Sequence, residues 1–272
     1  MPEKFKFEKT KTMRLILLFL WVFIPGFILA QDLSLYEKKE FAYGNSVLRY
    51  RVLYPENYNP AQKYPCVLFL HGAGERGSDN EKQLIHGAKL FLDAANRKNF
   101  PAIVLFPQCP ENEFWAAVKM DRSKQPYQFE FDYAAPANWP LAATNALVQQ
   151  MITDGAVDAK RVYITGLSMG GMGTFESVYR YPKLYAAAMP ICGGGNTNLY
   201  DARVKKVPFW VFHGAADAVV DVKLSQQMVQ RLQQLKMRVK YSEYPGVNHN
   251  SWDNAFAEPD YLKWMFQQKK KK

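Results

Sequence analysis

Six short strand-like runs, most of them continuously apolar, constrain the fold of this chain more than any other feature. They occupy residues 66–70, 102–106, 161–165, 186–191, 207–212 and 239–244, and segments with helical spacing separate them. A continuous apolar run is typical of a strand covered on both faces. Strands that alternate with helices predict an α/β fold, with a mostly parallel, doubly wound sheet and helices on both faces. Residues 37–54 add an opening antiparallel hairpin.

The first 30 residues differ in composition from the rest. They begin with lysines, contain an apolar run at 15–30 and end in Ile28-Leu29-Ala30, which favours a cleaved signal peptide at 1–30. Met13 is an alternative start, because the sequence from Met13 is already a complete signal peptide. A signal anchor is the other alternative, since 16 apolar residues are near the lower limit for crossing a bilayer. We expect a periplasmic or secreted protein without a stable membrane span after cleavage.

The net charge of +10 gives no reason to expect a nucleic-acid partner. Residues 1–30 carry +3 and the terminal lysines 269–272 carry +4, which leaves +3 for residues 31–268. The three cysteines lack metal-ligand spacing and the four histidines do not cluster near them, so we expect no metal and no cofactor. Export permits one disulfide, but the position of Cys66 at the start of a core strand favours buried or free thiols.

Gly166-Leu167-Ser168-Met169-Gly170 lies between a predicted strand and a predicted helix. Gly-x-Ser-x-Gly in this context forms a strained strand-to-helix turn that projects the serine hydroxyl above the sheet. The pattern alone proves little, so the rest of a catalytic site has to be found elsewhere in the chain.

Two further candidates follow other strands. Asp217 comes after residues 207–212, and His249 comes after residues 239–244. In a doubly wound sheet such groups gather at the carboxyl ends of the strands, and the order Ser, Asp, His is that of the α/β-hydrolases. His249 would take the proton of Ser168 as its hydroxyl attacks an acyl carbon, and Asp217 would hold the imidazole in the required tautomer.

The oxyanion of such a reaction needs backbone donors. Met169 N–H is one candidate, and the turn after the strand at 66–70 supplies the other from Ala73 or Gly74. Two of the catalytic positions have competing candidates. Asp221 is a rival for the acid, although it has the position of a helix cap. The other histidines are alternatives for the base. We expect His213 inside a strand end and His86 in a helix. We expect His71 to orient the loop at 71–77 that supplies the second donor, called here the oxyanion loop.

These segments together resemble a known family. Residues 71–77 (HGAGERG), 166–171 (GLSMGG), 210–217 and 244–252 are similar to the secreted bacterial α/β-hydrolases labelled "predicted peptidase" or phospholipase/carboxylesterase-like, and to the carbohydrate esterase family 1 feruloyl and acetylxylan esterases. The resemblance runs from about Phe41 to Trp264. It implies the same triad and a single α/β-hydrolase domain at 31–272.

Substrate recognition is less constrained by the sequence. We expect the pocket in residues 107–139, where Trp115 and Trp139 could stack on a sugar or feruloyl ring, although packing onto the domain is the simpler role for both. Arg76 could attract an acidic substrate or pair within its own loop. We predict an exported serine esterase acting on a small-molecule or carbohydrate ester. The alternatives are a serine peptidase for small peptides and a non-catalytic carbohydrate-binding pseudo-enzyme.

Overall fold

Ten strands and seven α-helices alternate along the described residues, which are 1–3 and 32–271 of the computed structural model. Residues 4–30 of the predicted leader lie outside these residues. The strands are β1 (Glu37–Tyr43), β2 (Ser46–Leu53), β3 (Tyr64–Leu70), β4 (Ile103–Gln108), β5 (Val118–Asp121), β6 (Gln128–Phe131), β7 (Val157–Leu167), β8 (Ala187–Ile191), β9 (Phe209–Gly214) and β10 (Val239–Tyr244). The helices are α1 (Ala88–Leu92), α2 (Ala94–Asn99), α3 (Trp139–Thr153), α4 (Met169–Arg180), α5 (Val222–Gln234), α6 (Trp252–Ala257) and α7 (Tyr261–Gln267).

Eight strands form one sheet in the order β1-β2-β4-β3-β7-β8-β9-β10. The six strands from β4 to β10 in this order are parallel, and β2 joins them antiparallel through β4. This arrangement confirms the predicted α/β class and the opening hairpin. Leu70 of β3 is level with Gly166 of β7, and Gly214 of β9 is level with Tyr244 of β10. The loops that carry the candidate residues therefore leave the sheet at the same edge.

Helices cover both faces of the sheet, and successive residues of β3 show why. Cys66, Leu68 and Leu70 belong to one buried cluster, together with side chains of α3, α4 and α5. Val67 and Phe69 belong to a second cluster, with side chains of α1 and α7. Alternate residues of a strand point to opposite faces, so a run that is apolar throughout fills two cores.

The helical segment predicted between the strand-like runs at 66–70 and 102–106 is interrupted. The structure has a 3-10 turn at Lys82–Leu84, then α1 and α2. The chain turns at Gly87, where φ is +80° and a Cβ atom would lie 2.4 Å from the ring of Phe69. His86 consequently lies in the bend before α1, which corrects its predicted place in a helix. Helical spacing alone did not reveal this close approach to the sheet.

Residues 107–138 contain a structure that the sequence did not reveal. β5 and β6 pair as a separate antiparallel hairpin, with Val118 opposite Phe131. The thiols of Cys66, Cys109 and Cys192 are buried and free. Within residues 1–3 and 32–271, none of the helices has both the length and the apolar character needed to cross a bilayer.

Candidate active site

Ser168 lies on the sharp turn between β7 and α4. Its φ of +52° and ψ of −115° form a conformation that a non-glycine residue adopts only under strain. Its N–H donates to the carbonyl of Ile191 at 2.9 Å, which anchors the turn to β8. The turn needs glycine at position 170, because a Cβ there would lie 1.9 Å from the carbonyl oxygen of Leu70. This turn, called the nucleophile elbow below, therefore packs closely against the end of β3.

The structure brings Ser168, His249 and Asp217 into one hydrogen-bonded row. His249 Nε2 lies 3.0 Å from Ser168 Oγ, and His249 Nδ1 lies 2.8 Å from Asp217 Oδ2. The carboxylate facing Nδ1 assigns the ring proton to that nitrogen, so Nε2 is free to accept the proton of the serine. Ser168 and His249 are 81 residues apart in the sequence, and Asp217 and His249 are 32 residues apart. The order of the strands in the sheet brings the three residues together.

Asp217 is almost fully buried and all of its acceptor capacity is used. Oδ1 accepts from the backbone N–H groups of Val219 and Val220, and Oδ2 accepts from two histidine rings, His249 and His213. Burial pushes the pKa of this carboxyl upward, but the hydrogen bonds from His213 and His249 outweigh it and hold the pKa well below its ordinary value. Asp217 is therefore ionised at neutral pH.

The rival acid, Asp221, has a different role. Its carboxylate accepts from the N–H of Lys223 at 2.9 Å and caps the start of α5.

His213 contacts Asp217, and the sequence did not predict this contact. The ring is fully buried at the end of β9, with Nε2 3.1 Å from Asp217 Oδ2 and 3.0 Å from the carbonyl of Val220. Nδ1 lies 2.7 Å from the hydroxyl of Ser225. Two acceptors face Nε2, so this nitrogen carries a proton. The spacing of four residues between His213 and Asp217, across a tight turn, was the available signal.

The predicted oxyanion donors lie on adjacent loops. Met169 N–H opens α4, while Ala73 and Gly74 belong to the 3-10 turn Ala73–Glu75 after β3. Gly170 packs against the backbone of Leu70 and His71, which brings the two loops together. Among the described residues, these three N–H groups have no acceptor.

His71 connects the oxyanion loop to the residue that follows β4 by hydrogen bonds. Its Nε2 accepts from the N–H of Cys109 at 2.9 Å, so its Nδ1 carries the proton and donates to the carbonyl of Gly72 at 2.6 Å. Burial lowers the pKa of this ring to about 4, against the smaller opposing effect of the Gly72 hydrogen bond. The ring is therefore neutral near pH 7, and its two hydrogen bonds hold the oxyanion loop next to Cys109.

The aromatic residues predicted to contact substrate differ in their environments. Trp115 has no exposed surface, and its indole N–H donates to the carbonyl of His71 at 3.1 Å. This corrects the prediction that its ring stacks on a substrate, because the ring is part of the core behind the oxyanion loop. Trp139 is half-buried and donates to Glu113 Oε1 at 3.0 Å. Arg76 donates to the carbonyls of Ala73 and Glu113, so its hydrogen bonds are made to its own loop and to the segment after β4.

Several proteins of similar sequence or fold are described as esterases. The family model described as phospholipase/carboxylesterase matches residues 57–259. Acyl-protein thioesterase 1 of Neurospora crassa is 32% identical over 213 residues, which are 70% of this chain and 82% of that protein. A thermostable esterase of known structure is 35% identical, with a TM-score of 0.77 over 86% of this chain; the match spans 63% of that esterase, less than two thirds of its length.

A feruloyl esterase module from Clostridium thermocellum, solved with sinapinate, shares the fold. The TM-score is 0.62 over 86% of this chain and 90% of the module, at 15% identity. These matches confirm the fold and the family likeness that the motifs predicted.

Proposed function

The chain belongs to the phospholipase/carboxylesterase family, and we propose that it is an exported serine esterase that cleaves carboxylic esters attached to polysaccharides. The row Ser168, His249, Asp217 carries this proposal, because its two hydrogen bonds of 3.0 and 2.8 Å supply a nucleophile, a base and an orienting carboxylate.

The reaction follows from this geometry. Ser168 Oγ attacks the acyl carbon while its proton passes to His249 Nε2, and the ionised Asp217 stabilises the resulting imidazolium. The N–H groups of Met169 and of Ala73 or Gly74 donate to the oxyanion, in the positive field at the start of α4. His249 then protonates the leaving alkoxide, which leaves an acyl group on Ser168. Water, deprotonated by His249, hydrolyses this acyl-enzyme and restores the serine.

Ser168→Ala tests the nucleophile. We expect kcat on p-nitrophenyl acetate to fall by about 10³-fold or more, and labelling by a fluorophosphonate probe to disappear. Ser123→Ala, in an exposed loop, is the matched control and should keep both. An unchanged rate in Ser168→Ala would refute the serine mechanism and would favour a binding protein without turnover.

Paired ester and amide substrates with the same acyl group separate the esterase from the alternative peptidase. We expect the ester to be cleaved with a higher kcat/KM, in keeping with the phospholipase/carboxylesterase family that the chain matches. A preference for the amide would favour the peptidase.

Export is proposed from the leader at residues 1–30. Expression of the full chain should give a mature product whose first residue is Gln31, as measured by mass spectrometry of the exported protein. An exported chain that keeps residues 1–30 would instead indicate a signal anchor.

A further inference from the structure

We infer, given the proposed esterase function, that Glu75, His86 and Trp252 form a subsite that binds a hydroxyl group on the alcohol part of the ester. Such a subsite would select esters of polyhydroxy alcohols, including sugars, over esters of simple alcohols.

The position of the subsite follows from the catalytic base. His249 has to protonate the leaving alkoxide, so the alcohol must lie beside Nε2. The ring of Trp252 packs edge-on against that of His249, with centroids 5.5 Å apart, and the ring of His86 lies 5.1 Å from Trp252. All three rings are only partly buried. They form a continuous row of rings that leads away from the base.

Glu75 lies at the far end of this row, on the oxyanion loop. The residue is 8% exposed, and its Oε2 has no hydrogen-bond donor among the described residues. Oε2 would lie 2.9 Å from a Cβ atom built on Gly72, so the carboxylate is packed against the loop itself. A buried carboxylate oxygen without a donor is costly, and the catalytic steps do not use it. The described residues therefore leave this carboxylate incompletely satisfied, and Oε1 is the oxygen that faces His86.

The pair formed by Glu75 and His86 indicates which group would satisfy the carboxylate. His86 Nε2 and Glu75 Oε1 are 3.7 Å apart, which is too far for a direct hydrogen bond. A hydroxyl placed between them donates to Oε1 and accepts from Nε2–H, since a hydroxyl has both capacities. An ammonium group offers only donors, which His86 opposes, and a carboxylate offers only acceptors, which Glu75 opposes. The indole face of Trp252 provides an apolar platform for the C–H face of a sugar ring.

The test compares two esters that share an acyl group, methyl ferulate and a feruloyl ester of methyl arabinofuranoside. We expect the wild type to favour the sugar ester in kcat/KM. In Glu75→Gln the ratio of the two kcat/KM values should fall about 3- to 10-fold, because the amide keeps an acceptor but loses the charge that strengthens the hydrogen bond. His86→Phe keeps a ring on Trp252 but loses the donor, and should lower the same ratio.

Glu81→Gln is the matched control, because Glu81 is exposed and paired with Lys38. Thermal melts of all variants show whether they fold. Equal losses on both esters, or no change in the ratio in folded Glu75→Gln and His86→Phe, would overturn the subsite while the esterase function stands. Selective loss on an aminoacyl ester would overturn it in favour of an ammonium site. A wild type that cleaves neither ester would overturn the proposed function as well.

Discussion

At the scale of single residues, the shared oxygen of Asp217 is the feature with the clearest consequence. Oδ2 accepts from His249 at 2.8 Å and from His213 at 3.1 Å, while Ser225 links His213 to the carbonyl of Gly193. The rotation of the carboxylate is thereby fixed by a second ring as well as by His249. His213 acts through Asp217 and is a positioning residue.

Replacement of His213 should weaken turnover more than binding. In His213→Leu we expect kcat to fall about tenfold with little change in KM, because Oδ2 loses one of its two side-chain donors and the carboxylate is less well oriented. His213→Gln can still donate and should recover part of the loss. Steady-state kinetics on p-nitrophenyl acetate, over a pH series, provide the measurement. If the two variants match the wild type, His213 does not position the acid.

At the scale of elements, the contact between the elbow and β3 joins the nucleophile to the oxyanion loop. Gly170 lies against the carbonyl groups of Leu70 and His71, so the start of α4 and the end of β3 cannot separate without opening the site.

Gly170→Ala should therefore be strongly destabilising. A Cβ atom 1.9 Å from the backbone carbonyl of Leu70 forces a shift of α4 or β3, at an expected cost of about 3 kcal/mol in unfolding free energy. Gly74→Ala is the control for stability, because a Cβ there meets nothing within 4 Å. Urea unfolding of both variants measures the difference, and equal midpoints would contradict the close approach.

The β5–β6 hairpin is held to α4 by a buried ion pair. Glu176 has no exposed surface; its Oε2 accepts from the N–H of Ala117 and its Oε1 from Arg180 Nε, both at 2.6 Å. Arg180 also donates to the carbonyl of Ala135 at 2.7 Å. These bonds fasten the chain on both sides of the hairpin. Burial raises the pKa of Glu176, against the opposing hydrogen bond from Arg180.

Removing the carboxylate should loosen this segment. In Glu176→Leu, Arg180 keeps no carboxylate partner and Ala117 N–H loses its acceptor, so we expect a loss of about 3–5 kcal/mol in unfolding free energy. Trypsin should also cut the hairpin faster at Lys119, Arg122 or Lys124. Glu176→Gln keeps an acceptor for Ala117 and should lose less. A hairpin equally resistant in all three proteins would show that Glu176 does not anchor it.

At the scale of the whole molecule, His71 makes stability depend on pH. Its pKa of about 4 in the folded protein lies below the ordinary value near 6.5, because the ring is buried. The unfolded chain therefore binds more protons between these values. The stabilisation is fully present above pH 6.5 and is lost as the pH falls toward 4.

The expected loss from His71 alone is about 3 kcal/mol between pH 7 and pH 4. Urea unfolding at these two pH values measures it in the wild type and in His71→Asn. The variant should be less stable at pH 7, since Cys109 N–H loses its acceptor, but its stability should change less with pH. The same pH dependence in both proteins would exclude His71 as the source.

Much of the candidate site could be predicted from local sequence. Apolar runs identify buried strands because both faces of a covered strand need apolar side chains, and β10 was predicted to the residue. The elbow was readable because a sharp strand-to-helix turn requires small residues around Ser168. Asp217 and His249 were predicted because polar residues directly after parallel strands gather at one edge.

The surroundings of those residues depended on contacts between distant segments. The sequence by itself determined the class of fold, the strands of the main sheet and the order of Ser168, Asp217 and His249, because periodicity and turn chemistry act over a few residues. Only the tertiary structure decided that Trp115 is core, that His213 shares the oxygen of Asp217, and that Glu75 meets His86 near the base. Those contacts arise from the strand order and from the bend at Gly87, which no local pattern encodes.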